Sequence, residues 1–108
     1  MEKKKTVLPR HYSGVLAEHP QLAGALEALG KAARKEGPLD DKTAHLVQLA
    51  AAASIRSEGA VHSHTKRALA AGAKPEEIGH ALLLLISTIG FPTVAAALSW
   101  VEDVIGKK

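Results

Sequence analysis

A chain of 108 residues has the length of one domain, and its make-up is 46% hydrophobic but only 3% aromatic, so the core must be assembled from Ala, Leu, Ile and Val. Such a core suits close helix–helix packing and argues against a β-sandwich; because alanine buries little area, self-association is the expected route to stability for so small a chain. The net charge of +3 sits in the tails, since setting aside Lys3, Lys4, Lys5, Lys107, Lys108 and Glu2 leaves nine basic and ten acidic residues, a near-neutral body without the basic stripe of a nucleic-acid binder.

Residues 1–8 read as a loose arm, and Pro9 to Glu18 as a short helix with Val15 and Leu16 as its apolar contacts, ending before Pro20. From Gln21 to Glu36, Leu22, Ala25, Leu26 and Leu29 follow the spacing of a one-sided helix. Lys31, Arg34 and Lys35 suit its last turns, and Gly37-Pro38 ends it. Asp40 is a good N-cap for a helix over Asp41 to Arg56, with Leu46, Leu49, Ala50 and Ala53 as the main stripe. A polar break, Arg56 to Gly59, precedes a helix over about Ala60 to Ala71 that Gly72 stops as a left-handed cap. Pro75 then opens a helix running to about Ile89, with Ile78, Ala81, Leu82, Leu85 and Ile89 facing the core. Leu83, Leu84 and Ile86 lie off that stripe, so burial almost all round is expected. Pro92 opens the last helix, whose core face is Val94, Leu98, Val101 and Ile105, and Gly106 closes it. No strand-period alternation is present, so the expected fold is all-α, one compact domain of five to six helices.

The absence of cysteine excludes disulfides, thiolate metal ligands and cysteine redox cycles, and fits a cytoplasmic protein. The opening M-E-K-K-K-T-V-L-P lacks an apolar signal core, so secretion is not expected. Between Ile78 and Val101 there is no formally charged residue, enough to span a bilayer by length alone. However, Gly90-Phe91-Pro92 breaks the run, and His80, Ser87, Thr88 and Ser99 dilute it; two buried helices meeting at a tight corner are expected, not a membrane span.

The chemistry is concentrated in S-E-G-A-V-H-S-H-T-K-R-A-L-A-A-G, Ser57 to Gly72. On a helix, Val61, His64, Thr65, Ala68 and Leu69 share one stripe, which turns His64 toward the interior or its edge. Glu58, His62 and Lys66 are spaced by four on a different, more solvated face, so the two histidines do not converge. His64 is either a core histidine bonded to a backbone carbonyl or a general acid/base, since imidazole titrates near neutrality and burial tunes it. Glu58 and His62 are a helix-start pair or its proton-transfer partners. Arg56, Lys66 and Arg67 are solvated cations or anchors for a substrate carboxylate.

Six histidines raise the question of a metal. Glu77-Ile-Gly-His80 matches half of a di-iron bundle motif, but the second half and two further glutamates are missing. The H-E-x-x-H pattern is absent too, and neither His62 nor His64 has a histidine four residues away. No cofactor is expected and no metal site within one chain, while one assembled between subunits stays open. His11, His19 and His45 read as surface or packing residues.

A-V-H-S-H-T-K-R-A-L-A-A-G-A-K-P-E-E-I-G-H-A-L-L-L followed by G-F-P, with G-P-L-D-D-K-T-A-H-L-V-Q-L-A-A-A-A upstream, resembles the carboxymuconolactone decarboxylase-like superfamily, which also contains the alkylhydroperoxidase D-like proteins. The resemblance covers about 39–104 and implies an all-α, alkylhydroperoxidase D-like fold forming trimers or hexamers, with sites near subunit contacts. The peroxidase branch carries Cys-x-x-Cys-x-x-x-His and an upstream glutamate. With that histidine aligned on His64, Ser57 and Ala60 take the cysteine positions and His45 takes the glutamate position, so thiol peroxidase activity does not carry over. The decarboxylase branch needs no cysteine pair, and its histidine in H-x-x-x-A-L-x-x-G matches His64. The resemblance thus implies a cofactor-free decarboxylase acting on a small carboxylated lactone or related acid. His64 would be the general acid/base, with Glu58 or His62 assisting, and Arg56, Lys66 or Arg67 holding carboxylate. A non-enzymatic oligomeric binding protein on the same fold is the alternative.

Overall fold

The computed structural model describes residues 10–106, with side chains from residue 14 onward. The N-terminal arm expected over 1–8 lies outside them. The described residues form helices only: α1 (Arg10–Glu18), α2 (Pro20–Lys35), α3 (Asp41–Ser54), α4 (Glu58–Ala70), α5 (Pro75–Leu83), α6 (Ile86–Ile89) and α7 (Phe91–Ile105). Since α6 is a single turn, six longer helices make the fold, as the periodicity led us to expect.

Helices α3 and α4 form the central antiparallel pair, with α7 packed on α4 and α5 bridging α7 and α3. Leu49, Val61, Ile78, Leu82 and Val94 are wholly buried, and alanines fill the space between them: Ala52 and Ala53 on α3, Ala68 on α4, Ala97 on α7. Cutting Leu49, Ile78 or Leu82 to alanine would cost about 2–5 kcal/mol through lost transfer energy and the cavity left behind.

The ends of these helices are fixed by local chemistry. Asp40 Oδ1 accepts from the Thr43 amide at 2.8 Å, the expected N-cap of α3. Ser57 caps α4 through the Ala60 amide, so the helix begins at Glu58 and brings that residue onto the face of His62. At the far end of α4, Gly72 N–H bonds to Leu69 O (3.0 Å) and Ala73 N–H to Ala68 O (2.9 Å), a Schellman closure that requires the positive φ of Gly72, 103°. The α3–α4 corner has the same pattern, Arg56 N–H to Ala53 O and Ser57 N–H to Ala52 O, but with an arginine at φ 58° in the left-handed position. Arg56 Nη2 donates to Thr93 Oγ1 at 2.7 Å, tying this corner to the first turn of α7. The α5 start is braced by Glu77, which accepts from its own Lys74 amide (2.9 Å) and from Lys42 Nζ on α3 (3.1 Å). Those two bonds, the larger from the backbone, hold the Glu77 carboxyl below its usual range.

Two expectations are corrected. The helix opened by Pro75 does not run to Ile89: it ends at Leu83 and resumes as α6. It is not buried all round either, because Leu83 and Leu84 are 48% and 64% exposed. The charge-free run is therefore broken twice, and among the described residues no helix is long and apolar enough to cross a membrane. Helix α2 is one-sided as expected, but it packs chiefly on α1 and buries no residue, leaving Leu22, Leu26 and Leu29 exposed.

Candidate functional site

Helix α3 presents His45 and Gln48, three residues apart and so on one side. Helix α4, packed against it, presents His64. The two imidazole rings meet with centroids 5.7 Å apart and planes inclined by 38°. His45 is buried and His64 half-buried. The Nδ1 atoms of both rings and Oε1 of Gln48 are shielded from solvent and have no hydrogen-bond partner among the described residues. A buried polar atom left unpaired costs about 1–3 kcal/mol, so three such atoms concentrate a stability cost at the contact of two adjoining helices.

The charge around the pair is positive. Arg67, one turn beyond His64, is steered by its Nε donating to Ser63 Oγ at 3.1 Å. Arg34 approaches from the last turn of α2. For His45, burial is the main force pushing the imidazole below its ordinary range, with Arg34 and Arg67 adding to it and Asp41 opposing. For His64, burial, then His45, Arg67 and Arg34 together push the ring down to about 4. Both rings are thus neutral at physiological pH, next to two guanidinium groups suited to a carboxylate. An open pocket of about 190 Å³ lies between the end of α2 and the start of α3, with Arg34 and Gln48 as its polar walls and Ala33, Leu39, Ala44 and Val47 among its apolar ones; neither histidine lines it.

The other sequence candidates lie elsewhere. His62 Nε2 sits 3.0 Å from Asp103 Oδ2 on α7 and 3.9 Å from Glu58 Oε2, so Glu58 and His62 pair with each other and with Asp103, apart from the His45–His64 pair. Arg56 is engaged with Thr93 at the α3–α4 corner. Lys66 is half-buried and two residues from His64, on a different side of α4. Nδ1 of His64 has no backbone carbonyl partner among the described residues, and the ring beside it is that of His45. Of the two readings of His45, surface or packing, the structure shows packing: it is buried against His64. Arg34, Gln48 and Asp103 carried no signal of their own, since their partners are distant in sequence.

The described residues thus form an alanine-rich all-α domain with two histidines packed ring to ring between its central helices. The family model for the carboxymuconolactone decarboxylase family matches residues 20–103, and the chain belongs to that family. It is similar to a carboxymuconolactone decarboxylase family protein from Legionella pneumophila whose crystal structure is of the apo form: TM-score 0.72, 26% identity, covering 88% of this chain and 85% of the other. No curated protein matches the chain.

Proposed function

We propose that the protein is a cofactor-free lyase that removes CO2 from a small carboxylated lactone or related acid, with His64 as the proton-transfer group. The observation that carries this reading is the pair of neutral imidazoles at 5.7 Å, each with an unpartnered Nδ1, beneath the charges of Arg67 and Arg34. Heterolysis of the bond to the carboxylate leaves an electron pair that delocalises into the lactone carbonyl oxygen, where a guanidinium stabilises it. CO2 departs, a proton from the His64 imidazolium goes to carbon, and water restores that proton; no oxidant is needed. In the free protein His64 is unprotonated at neutral pH. Burial is the main cause of the low proton affinity of His64; an arriving carboxylate offsets the smaller arginine contributions and adds a countercharge, both of which favour the imidazolium. His45 is the second station for that proton. Glu58, His62 and Arg56, committed to other partners, take no part in the step.

The reading includes a homo-oligomer, supported by the exposed stripe of Leu22, Leu26 and Leu29. A non-enzymatic ligand-binding role is the second reading, favoured by the apolar walls of the pocket. Incubation with 4-carboxymuconolactone, with CO2 release measured, tests the first. Turnover by the wild type, lost in a His64→Gln variant of unchanged melting temperature, is expected. No release from the wild type overturns it, and saturable lactone binding without turnover would favour the second.

A further inference from the structure

The start of α4 and the last turn of α7 bring together three side chains that the proton-transfer reading leaves unused. Glu58, His62 and Asp103 each offer one ligand atom, all three atoms lying within 4.8 Å of one another. We propose that they form a binding site for a divalent first-row transition-metal ion, zinc foremost, independent of the His45–His64 pair.

Three observations carry this. The first is spacing: His62 Nε2 is 3.0 Å from Asp103 Oδ2 and 3.9 Å from Glu58 Oε2. Tetrahedral bonds of about 2.1 Å place neighbouring ligand atoms about 3.4 Å apart, between those two separations. A rotamer adjustment of Glu58, whose side chain is 56% exposed, closes the remainder.

The second is the ligand set. One imidazole and two carboxylates match the mixed nitrogen and oxygen preference of zinc and its neighbours, and not the all-oxygen shell of calcium or magnesium. The ring of His62 is held in place, only 19% exposed, with Nε2 turned to both acids.

The third is a broken local rule. The final turn of α7 holds Glu102 and Asp103 with no basic residue, although a helix C-terminus favours cations. Acids there deepen a negative potential that a bound cation relieves. With Asp103 on α7 and the other two on α4, a metal would also clamp the start of one helix to the end of its neighbour. Because Glu58 and Asp103 are both exposed, water or a small anion would complete the shell.

Calorimetric titration of the untagged full chain with zinc is the test, with melting temperature followed in parallel and cobalt absorption as a readout of coordination. One ion per chain and a rise in melting temperature are expected. His62→Gln and Asp103→Asn, each checked for an unchanged circular-dichroism spectrum, should each weaken binding at least about tenfold, as even loss of an outer partner of a ligand does. His45→Gln should bind zinc as the wild type does. A wild-type titration with no binding, or binding kept by both variants, overturns the site, as does loss of binding only in His45→Gln, which would place the ion at the other histidine pair.

Discussion

His45 and His64 stand ring to ring, 5.7 Å between centroids, on the two helices that form the centre of the fold. At that separation two imidazolium charges would repel by about 3 kcal/mol at an effective dielectric constant near 20, so the pair holds at most one proton near neutrality. In the proposed reaction the two rings would therefore serve as a single proton store, its occupancy set by the charge of the bound substrate.

Acid should destabilise the protein in a defined window. The folded state depresses the proton affinity of His64 from 6.5 to about 4, and that of His45 in the same direction. As the pH falls below about 6.5 the unfolded chain takes up protons that the folded chain does not, so the contribution is whole above that point and lost toward about 4. Urea denaturation across this range should show about 3 kcal/mol of stability lost through His64, a loss that His64→Gln removes. A variant with the same slope as the wild type would sink the assignment.

Gln48 should trade stability for binding. Its Oε1 is buried without a partner among the described residues, beside the pocket it helps to wall. Gln48→Met keeps the volume and removes the unpaired atom, and should stabilise the chain by about 1 kcal/mol. The same change should weaken binding of a carboxylated ligand. Denaturation midpoints and ligand titration read the two effects separately, and a destabilised variant would mean that the amide is satisfied.

Arg67 is expected to act as a fork and not only as a charge. Ser63 Oγ fixes its Nε, which leaves the terminal nitrogens for a carboxylate. Arg67→Lys should raise KM for the substrate about tenfold with a smaller effect on kcat. Ser63→Ala should give a weaker version of the same change. Equal KM in all three proteins would remove Arg67 from the site.

Local signals in the sequence were enough for the fold. Asp40, Gly72 and Pro75 each announce a helix boundary through their own chemistry, and each stands where its chemistry requires. The left-handed corner at Arg56 was not legible, because arginine gives no sign of a positive φ and its stabilising partner, Thr93, lies on another helix. The break after Leu83 was hidden for the opposite reason: a run of leucines has no residue that stops a helix. At the site, His64 could be placed on an inward face from spacing alone. His45 and Asp103 could not be joined to their partners, since those contacts exist only once α3 and α7 pack on α4.

The exposed stripe of α2 gives the last expected outcome. Leu22, Leu26 and Leu29 recur at i, i+4 and i+7, yet are 53%, 46% and 66% exposed on a helix that buries nothing. Leaving such a stripe in water forfeits about 1.5–3 kcal/mol per leucine relative to burial, which a second copy of the chain would recover. Leu26→Glu places a charge mid-stripe and should reduce the mass measured by light scattering to that of a single chain. Helix content should be kept, because α3, α4, α5 and α7 share a core that excludes α2. Arg34 ends that same helix and lines the pocket, so dissociation should also loosen its placement beside His45 and weaken carboxylate binding. A wild type that is already monomeric would show instead that α2 is stable with its leucines in solvent.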